Sequence, residues 1–398
     1  MNSAIDSRFD SRFILFLLSG ISLSFLLSIA ALQIFVVILA VVYFFEKDKK
    51  VSLDLMGKVI LLFAAARVLS VIFSAHIEAS VHALYKEALF YFSFFALNYY
   101  LKTIDESKFN LLVKIFILSG TIVSIFGLFR FITNSVERAQ TFSSGYMVFS
   151  LYLTIIFVFL LFNFRTISFL QKYDVTFKAF LSALILSGII TSLGRMNIAI
   201  ALLFSAAAFI LGKVQFKVLV FVFILTILLS GLSFISNSQA FRSRVEAPAA
   251  LSDRDILYEG FFQLWDEKPI TGFGPRTFKE IFPFREKFAD KGIGSWHNDY
   301  IEIYIESGLI GLAALLGIFA ALFYSIYRIL KQLKLNVSVK NISTGVLASA
   351  IALMFAGLTS GFIKSPILSI VLAMLIAFNQ RIWYRYKTDY SDSEIFSA

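Results

Sequence analysis

Residues 13–45 read FILFLLSGISLSFLLSIAALQIFVVILAVVYFF, a run without a single charged side chain. Its apolar residues are continuous rather than alternating. They cover every face of a helix instead of one face of a strand. One membrane crossing needs about 20 apolar residues, so the run reads as two coupled spans, over 13–29 and 31–45. The second span follows the first at once, with no clear small-residue cleavage site between them, so the first is not read as a cleavable signal peptide.

Ten more segments of this kind follow, over 56–75, 81–100, 109–131, 143–164, 177–193, 196–212, 217–235, 299–327, 344–362 and 366–383. The whole composition agrees: 59% of the 398 residues are hydrophobic and 47 are Phe, against about 45–50% apolar residues in soluble domains. That surplus needs the bilayer as solvent, and only helices or closed barrels cross it. The expected fold class is therefore all-α, a polytopic membrane protein of about twelve transmembrane helices. The expected organisation is a bundle of about nine spans over 1–235, one large periplasmic loop over 236–298, three spans over 299–383 and a polar, disordered cytoplasmic tail over 384–398.

The charges give the orientation. The net charge is +10, and its placement explains it without nucleic acid. With the N-terminus inside, the cytoplasmic stretches hold about 19 Lys and Arg, among them Arg8, Arg12, Lys47, Lys49, Lys50, Lys334 and Arg381. The short outer loops hold Arg138, Arg195 and Lys364. The positive-inside rule then places both termini in the cytoplasm. Tyr99, Tyr100, Trp296, Tyr300, Trp383 and Tyr384 fall near the expected interfaces, where aromatic rings prefer to lie. Cysteine is absent, which excludes disulfides, thiolate metal sites and a cysteine nucleophile. The histidines are His76, His82 and His297, too few for a histidine-rich metal site. No metal and no cofactor is expected.

The loop over 236–298 carries structure signals of its own. Ser252 and Asp255 read as a capping box. Leu257, Phe261, Leu264 and Trp265 then form an apolar stripe at helical spacing, as on a short amphipathic helix lying on the membrane surface or against the bundle. Pro269 ends that helix, Gly272, Gly274 and Pro275 make a turn, and a second short helix is expected near 276–287.

Candidate functional residues gather on the outer face. Arg195 stands in the tight turn Thr191-Ser192-Leu193-Gly194-Arg195, and Arg254 in the first turn of the amphipathic helix. Arginine beside the free N–H groups of a helix start attracts phosphate. The alternative for Arg254 is a solvated pairing with Asp253 or Glu259. His297 opens the tenth span in Trp296-His297-Asn298-Asp299-Tyr300. It is a proton acceptor near neutral pH, or else an interfacial residue holding a loop carbonyl. Arg67, Arg130, Lys86 and Glu87 lie within or near spans, Lys86 and Glu87 at the outer start of the fourth. For Arg130 and Glu87 the preferred readings are an internal ion pair or snorkelling. Gly272-Phe273-Gly274 reads as a turn rather than a phosphate cradle.

Two strings then decide the family. Arg254, Tyr258 and Pro269-Ile-Thr-Gly-Phe-Gly-Pro275 lead to Phe278; His297-Asn298-Asp299-Tyr300 leads to Glu306-Ser-Gly308-Leu-Ile-Gly311. Together they resemble the O-antigen ligase/polymerase family of bacterial envelope glycan enzymes. Arg138-Ala-Gln-Thr141-Phe142 and the turn ending in Arg195 resemble two further family motifs. This sequence departs from the pattern at Gly194, where Ser is usual, at Tyr258, where Trp is frequent, and at Ser143, where Asn is usual. The resemblance implies a GT-C-like inner-membrane enzyme with its active face in the periplasm. It would transfer a glycan from undecaprenyl diphosphate to an acceptor hydroxyl, lipid A–core in a ligase or a second lipid-linked unit in a polymerase, without metal. Inversion is expected because no carboxylate in the sequence is clearly placed for a covalent glycosyl intermediate. It implies catalytic roles for His297, Arg195 and Arg254, and substrate binding by Arg138, Asn298, Lys86 and Arg276. A transporter of lipid-linked sugars is the rival of different class. It would show a midplane site or matching halves, and the sequence shows neither.

Overall fold

The computed structural model describes residues 9–46, 53–236, 254–288, 294–332 and 336–395. Among these, every regular element is helical: α1 (Ser11–Leu27), α2 (Ile29–Phe44), α3 (Leu55–Ile72), α4 (Ile77–Thr103), α5 (Glu106–Ile132), α6 (Tyr146–Phe162), α7 (Asp174–Thr191), α8 (Arg195–Ile210), α9 (Phe216–Ser236), α10 (Arg254–Leu264), α11 (Phe278–Ile281), a 3₁₀ turn (Arg285–Phe288), α12 (Asp299–Leu330), α13 (Val337–Gly357) and α14 (Pro366–Ile395). Each of the twelve expected segments falls on one of these helices. Seven of them, α3, α5, α7, α9, α12, α13 and α14, are long and apolar enough to cross a membrane. This is the fold of a polytopic membrane protein.

The bundle is layered by burial. Every residue of α6 from Phe149 to Phe162 is buried, and α14 is similarly enclosed. α4 packs on α14, α3 on α12 and α13 on α6. The outer layer turns its apolar side chains away from the protein, as Ile227, Leu228 and Leu232 of α9 do. An apolar surface on that scale is a lipid contact.

Local chemistry sets the ends. Asp54 accepts from the Gly57 amide to cap α3, and Asp105 from the Lys108 amide to cap α5, each satisfying an amide that the first turn leaves unpaired. Three expectations need correction. α4 begins at Ile77, so Lys86 and Glu87 lie more than two turns inside it rather than at its start. The tail after Trp383 continues α14 to Ile395, because no glycine or further proline interrupts that stretch. The tenth span is broken at Gly308, whose φ of 61° and ψ of −164° interrupt α12. Arg8, Lys47, Lys49, Lys50, Ser252, Asp253 and Lys334 lie outside the described residues.

The loop between α9 and α12 has a small core of its own. Leu257 and Leu264 of α10 bury against Phe273, Phe278, Phe282, Trp296 and Ile305. Phe278 stacks on Phe282 at 4.8 Å, and Trp296 stands edge-on to Phe278 at 5.1 Å. The opposite side of α10 leaves Tyr258, Phe262 and Trp265 exposed, so Trp265 does not share the buried stripe. The second short helix is split into α11 and the 3₁₀ turn.

Candidate active site

The break in α12 explains how the site is assembled. Without regular helix at Gly308, the carbonyls of Ile305 and Glu306 accept from the amides of Phe273 and Gly274, both at 2.9 Å, and Pro269 O accepts from Leu309 N at 2.8 Å. The loop therefore lies directly on the helix backbone. A Cβ on Gly308 would stand 2.1 Å from Ile270 O, and one on Gly272 2.4 Å from the Glu306 backbone. Both glycines have positive φ, which only glycine adopts without penalty. Ser70 of α3 and Ser74 just beyond its end complete the joint by donating to Glu306 O and Phe273 O, each at 2.7 Å. The Gly-Phe-Gly turn is a docking element.

Beneath this joint lies a buried charge network. The Arg67 guanidinium is wholly buried and holds Glu87 through two hydrogen bonds, Ser307 Oγ at 3.0 Å and Glu306 Oε2 at 2.8 Å. Glu306 Oε1 accepts from the Arg276 amide at 2.7 Å and faces Lys364 Nζ at 2.8 Å. Lys364 also pairs with Glu302. Asp299 accepts from Phe362 N at 2.7 Å, which fixes the segment carrying Lys364 between α13 and α14. Glu87 thus has an ion pair, as expected, but with Arg67. Arg130 instead donates to Thr141 O at 2.8 Å and covers the Phe142 ring.

A cleft opens beside this network. It is lined by Met147, Val148 and Leu151 of α6, by Ser295 and His297, by Glu302, and by Ser360, Gly361, Lys364 and Leu368. His297 has a left-handed backbone, φ 50°, an uncommon state for a non-glycine residue and one found at strained functional positions. Burial, then the positive charges of Arg254 and Lys364, push the His297 pKa below the ordinary histidine value. The shift favours the neutral ring. Burial acts to lower the Lys364 pKa, but Glu306 and Glu302 outweigh it and raise it. Arg254 donates to Thr359 O at 2.9 Å, next to the Ser360 wall of the cleft.

The remaining expected residues divide. The Arg138 guanidinium lies 4.0 Å from the centroid of the Tyr146 ring, adjacent to Met147 in the cleft wall. The neighbouring Ala139 amide donates to Thr191 O at 3.1 Å, tying this segment to the turn before Arg195. Arg195 is exposed at the first position of α8, and that turn is fastened to α6 by Asn197 Nδ2 donating to Ser150 Oγ at 2.5 Å. Asn298 is used as the N-cap of α12, its Oδ1 accepting from Tyr300 N and Ile301 N. Lys86 and Arg276 do not reach the cleft lining; they line a separate slot with Lys364. Sequence reasoning missed Glu302 and Lys364 as cleft residues. The available signals were a lone lysine in a cation-poor outer loop and an acid one turn before Glu306. Among the described residues no group of three His, Cys, Asp or Glu is placed to hold a metal ion.

These features form a cleft at one end of a helical bundle, lined by an imidazole, a lysine and a carboxylate, with Arg254 beside it. Residues 177–316 match the O-antigen ligase family, and this match supports the O-antigen ligase/polymerase family for the chain. The matched stretch contains Arg195, Arg254, Arg276 and His297 and stops short of Lys364. No curated protein matches the chain.

Proposed function

We propose that the chain is an O-antigen ligase-like glycosyltransferase. It moves a glycan from undecaprenyl diphosphate to an acceptor hydroxyl, that of lipid A–core or another envelope glycan, on the periplasmic face of the inner membrane, with both chain termini in the cytoplasm. The observation that carries this reading is the His297 imidazole, its pKa pushed down by burial and neighbouring cations, sharing one cleft with Lys364 beside Arg254. An acceptor hydroxyl enters as a neutral group. As its oxygen attacks the anomeric carbon, its proton passes to the unprotonated imidazole nitrogen. The bond from that carbon to the diphosphate oxygen breaks, and the leaving diphosphate takes the electron pair. Arg254 and Lys364 stabilise the negative charge that develops there, in a site of low dielectric where fixed charges act strongly. Arg138 and Arg195, on segments joined to α6, are the residues assigned in this reading to hold the diphosphate bidentately.

Glu302 adds a second proton acceptor. One of its oxygens pairs with Lys364, and the other has no hydrogen-bond partner in the structure. Its place in this reading is to orient the acceptor hydroxyl toward the imidazole. The test is transfer by purified protein from a defined lipid-linked donor, with the anomeric configuration of the product read by NMR. Inversion is expected, with activity that persists in EDTA. Retention would instead make Glu302 a covalent nucleophile and overturn the single-displacement scheme, and strict dependence on a divalent ion would overturn the cation-only account. Transfer onto a second lipid-linked unit rather than lipid A–core would make the protein the polymerase of the same family.

A further inference from the structure

α10 has two apolar flanks, and the packing of the loop uses one of them. Leu257, Gly260 and Leu264 are buried against the loop core. Gly260 approaches so closely that a Cβ there would stand 2.4 Å from the Phe282 ring. Tyr258, Phe262 and Trp265 follow one another at i, i+4 and i+7, so they share a second flank. All three are exposed, Phe262 by 66%, and Ile270 just beyond the helix is exposed by 61%. A third flank is polar: Asp255, Glu259, Gln263 and Asp266 are exposed, and helical spacing turns them away from the buried flank. The helix is thus sorted three ways, toward the bundle, toward an apolar medium and toward water.

The place where α10 ends says what covers the aromatic flank. Lys268 Nζ donates to Phe73 O at 3.3 Å, and Phe73 is the C-cap of α3. The Tyr304 hydroxyl of α12 donates to Trp265 O at 2.6 Å, and Leu309 N to Pro269 O at 2.8 Å. The end of the helix is therefore pinned to two spans. On α3 the side chains leading to this point, Leu61, Val68 and Ile72, share one exposed face, and Phe73 and Leu309 are exposed as well. They belong to the layer that turns its apolar side chains to lipid. The aromatic flank meets that lipid-facing stripe where α3 stops, at the level where aromatic rings prefer to lie. A row of rings can also stack on a saccharide, but such a face mixes hydrogen-bonding groups among its rings. Here the polar groups keep to their own flank, and Phe262 and Ile270 carry none.

We infer that the Tyr258, Phe262 and Trp265 flank of α10, with Ile270, is a membrane-surface clamp: it inserts into the headgroup boundary of the bilayer and leaves the acidic flank in water. Interfacial helices of this kind bury their apolar face about 5–10 Å into that boundary. Two apolar flanks let one short helix lie against the bundle and on the membrane at once. Arg254 is the first residue of α10, so a helix clamped in this way holds Arg254 at headgroup level. That consequence for lipid-linked substrate rests on the transfer reading above; the insertion itself does not.

The test reads depth and does not depend on transfer. The chain has no cysteine, so one introduced cysteine takes a nitroxide label alone. Phe262→Cys, Ile270→Cys and Glu259→Cys, all at exposed positions, are labelled in the full chain and placed in phosphatidylcholine–phosphatidylglycerol nanodiscs. Electron paramagnetic resonance then measures collisions with oxygen, which concentrates in the bilayer, and with a water-soluble nickel chelate, which the bilayer excludes. Burying an apolar side chain of this size favours the inserted state by about tenfold or more. Nickel access at 262 and 270 is therefore expected to lie about tenfold or more below that at 259, with oxygen access higher at both. In a Tyr258→Ser/Trp265→Ser background, nickel access at the 270 label is expected to rise toward that at 259. Equal nickel access at 262, 270 and 259 would overturn the clamp and leave the row in water, open to a saccharide. Unchanged nickel access at 270 in the double-Ser background would overturn the role of the rings. Failure of transfer with the expected label depths would count against the proposed function alone.

Discussion

The two ends of the bundle bury charge in opposite ways. At the end where α4 gives way to α5, Arg381 is almost wholly buried and closes on its surroundings: its guanidinium donates to the carbonyls of Leu101 and Ile104 and pairs with Glu106. Lys178 does the same, donating to Phe164 O and to Ile167 O at 2.9 Å and pairing with Asp174 at 2.6 Å. Arg381 occupies carbonyls at the C-terminal end of α4, where positive charge is favoured, and Lys178 closes on the turn that follows α6. At the cleft end the buried charges stand around open space. The Glu302 Oε2, Arg276 Nε and Trp296 Nε1 atoms are buried without partners, and Lys364 lines two cavities. Buried charge alone thus does not mark a site in this protein. What sets the cleft end apart is open space beside the charges.

The largest effect should come from Arg67, the hub of the cleft-end network. Replacing it as Arg67→Met leaves Glu87 and Glu306 buried without their cation, a loss of about 3–5 kcal/mol when one partner of a buried pair is removed. A large drop in the unfolding temperature of the detergent-solubilised protein checks this. Arg381→Met sharpens the comparison. It should destabilise by a similar mechanism, yet the folded fraction should transfer at the normal specific rate, because that end performs no chemistry. Lost specific activity in a folded Arg381→Met protein would break the distinction between the ends.

Arg254→Ala should fold normally and slow transfer by about ten- to a hundredfold, the span expected from losing a hydrogen bond to a charged group. Arg254→Lys should recover only part of that rate, since an ammonium does not reproduce a planar guanidinium. Steady-state kinetics on the purified variants decide it. The smallest effect is on pH dependence. Neutral His297 is the active form, so activity should fall as the pH drops through its pKa, which lies below the ordinary histidine value. Removing the positive charge in Arg254→Ala raises that pKa, and the acid limb of the rate profile should move to higher pH. An unmoved limb would show that the titrating group is not His297.

The helices were legible because apolar runs dictate them: residues 13–45 alone fix two, and α1 and α2 fall where that run places them. Arg254 and His297 were legible from motif and position, and the structure puts His297 in the cleft with Arg254 near enough to depress its pKa. The partners were not. Glu87 and Arg67 are 20 residues apart, but Lys364 meets Glu302 and Glu306 across about 60 residues and a helix reversal; spacing carries no signal over such a gap. The break at Gly308 was hidden for another reason. Its apolar neighbours continue the helical pattern, and only the loop from Pro269 to Gly274, docked on the freed carbonyls, makes the break favourable. Lys86 and Arg276 were read with the diphosphate because both are outer-face cations. Placing them on the far side of Lys364 needed the packing of α4 against α14.

The central claim is that the cleft end transfers glycan with His297 as the proton acceptor, and His297→Gln tests it most directly. Glutamine keeps hydrogen-bonding capacity but offers no usable base. Purified, normally folded His297→Gln is expected to bind lipid-linked donor as the parent does and to transfer it more slowly by roughly 10²–10⁴-fold. Turnover near the parental rate in that variant would contradict the account and leave His297 as a residue that merely holds the loop before α12.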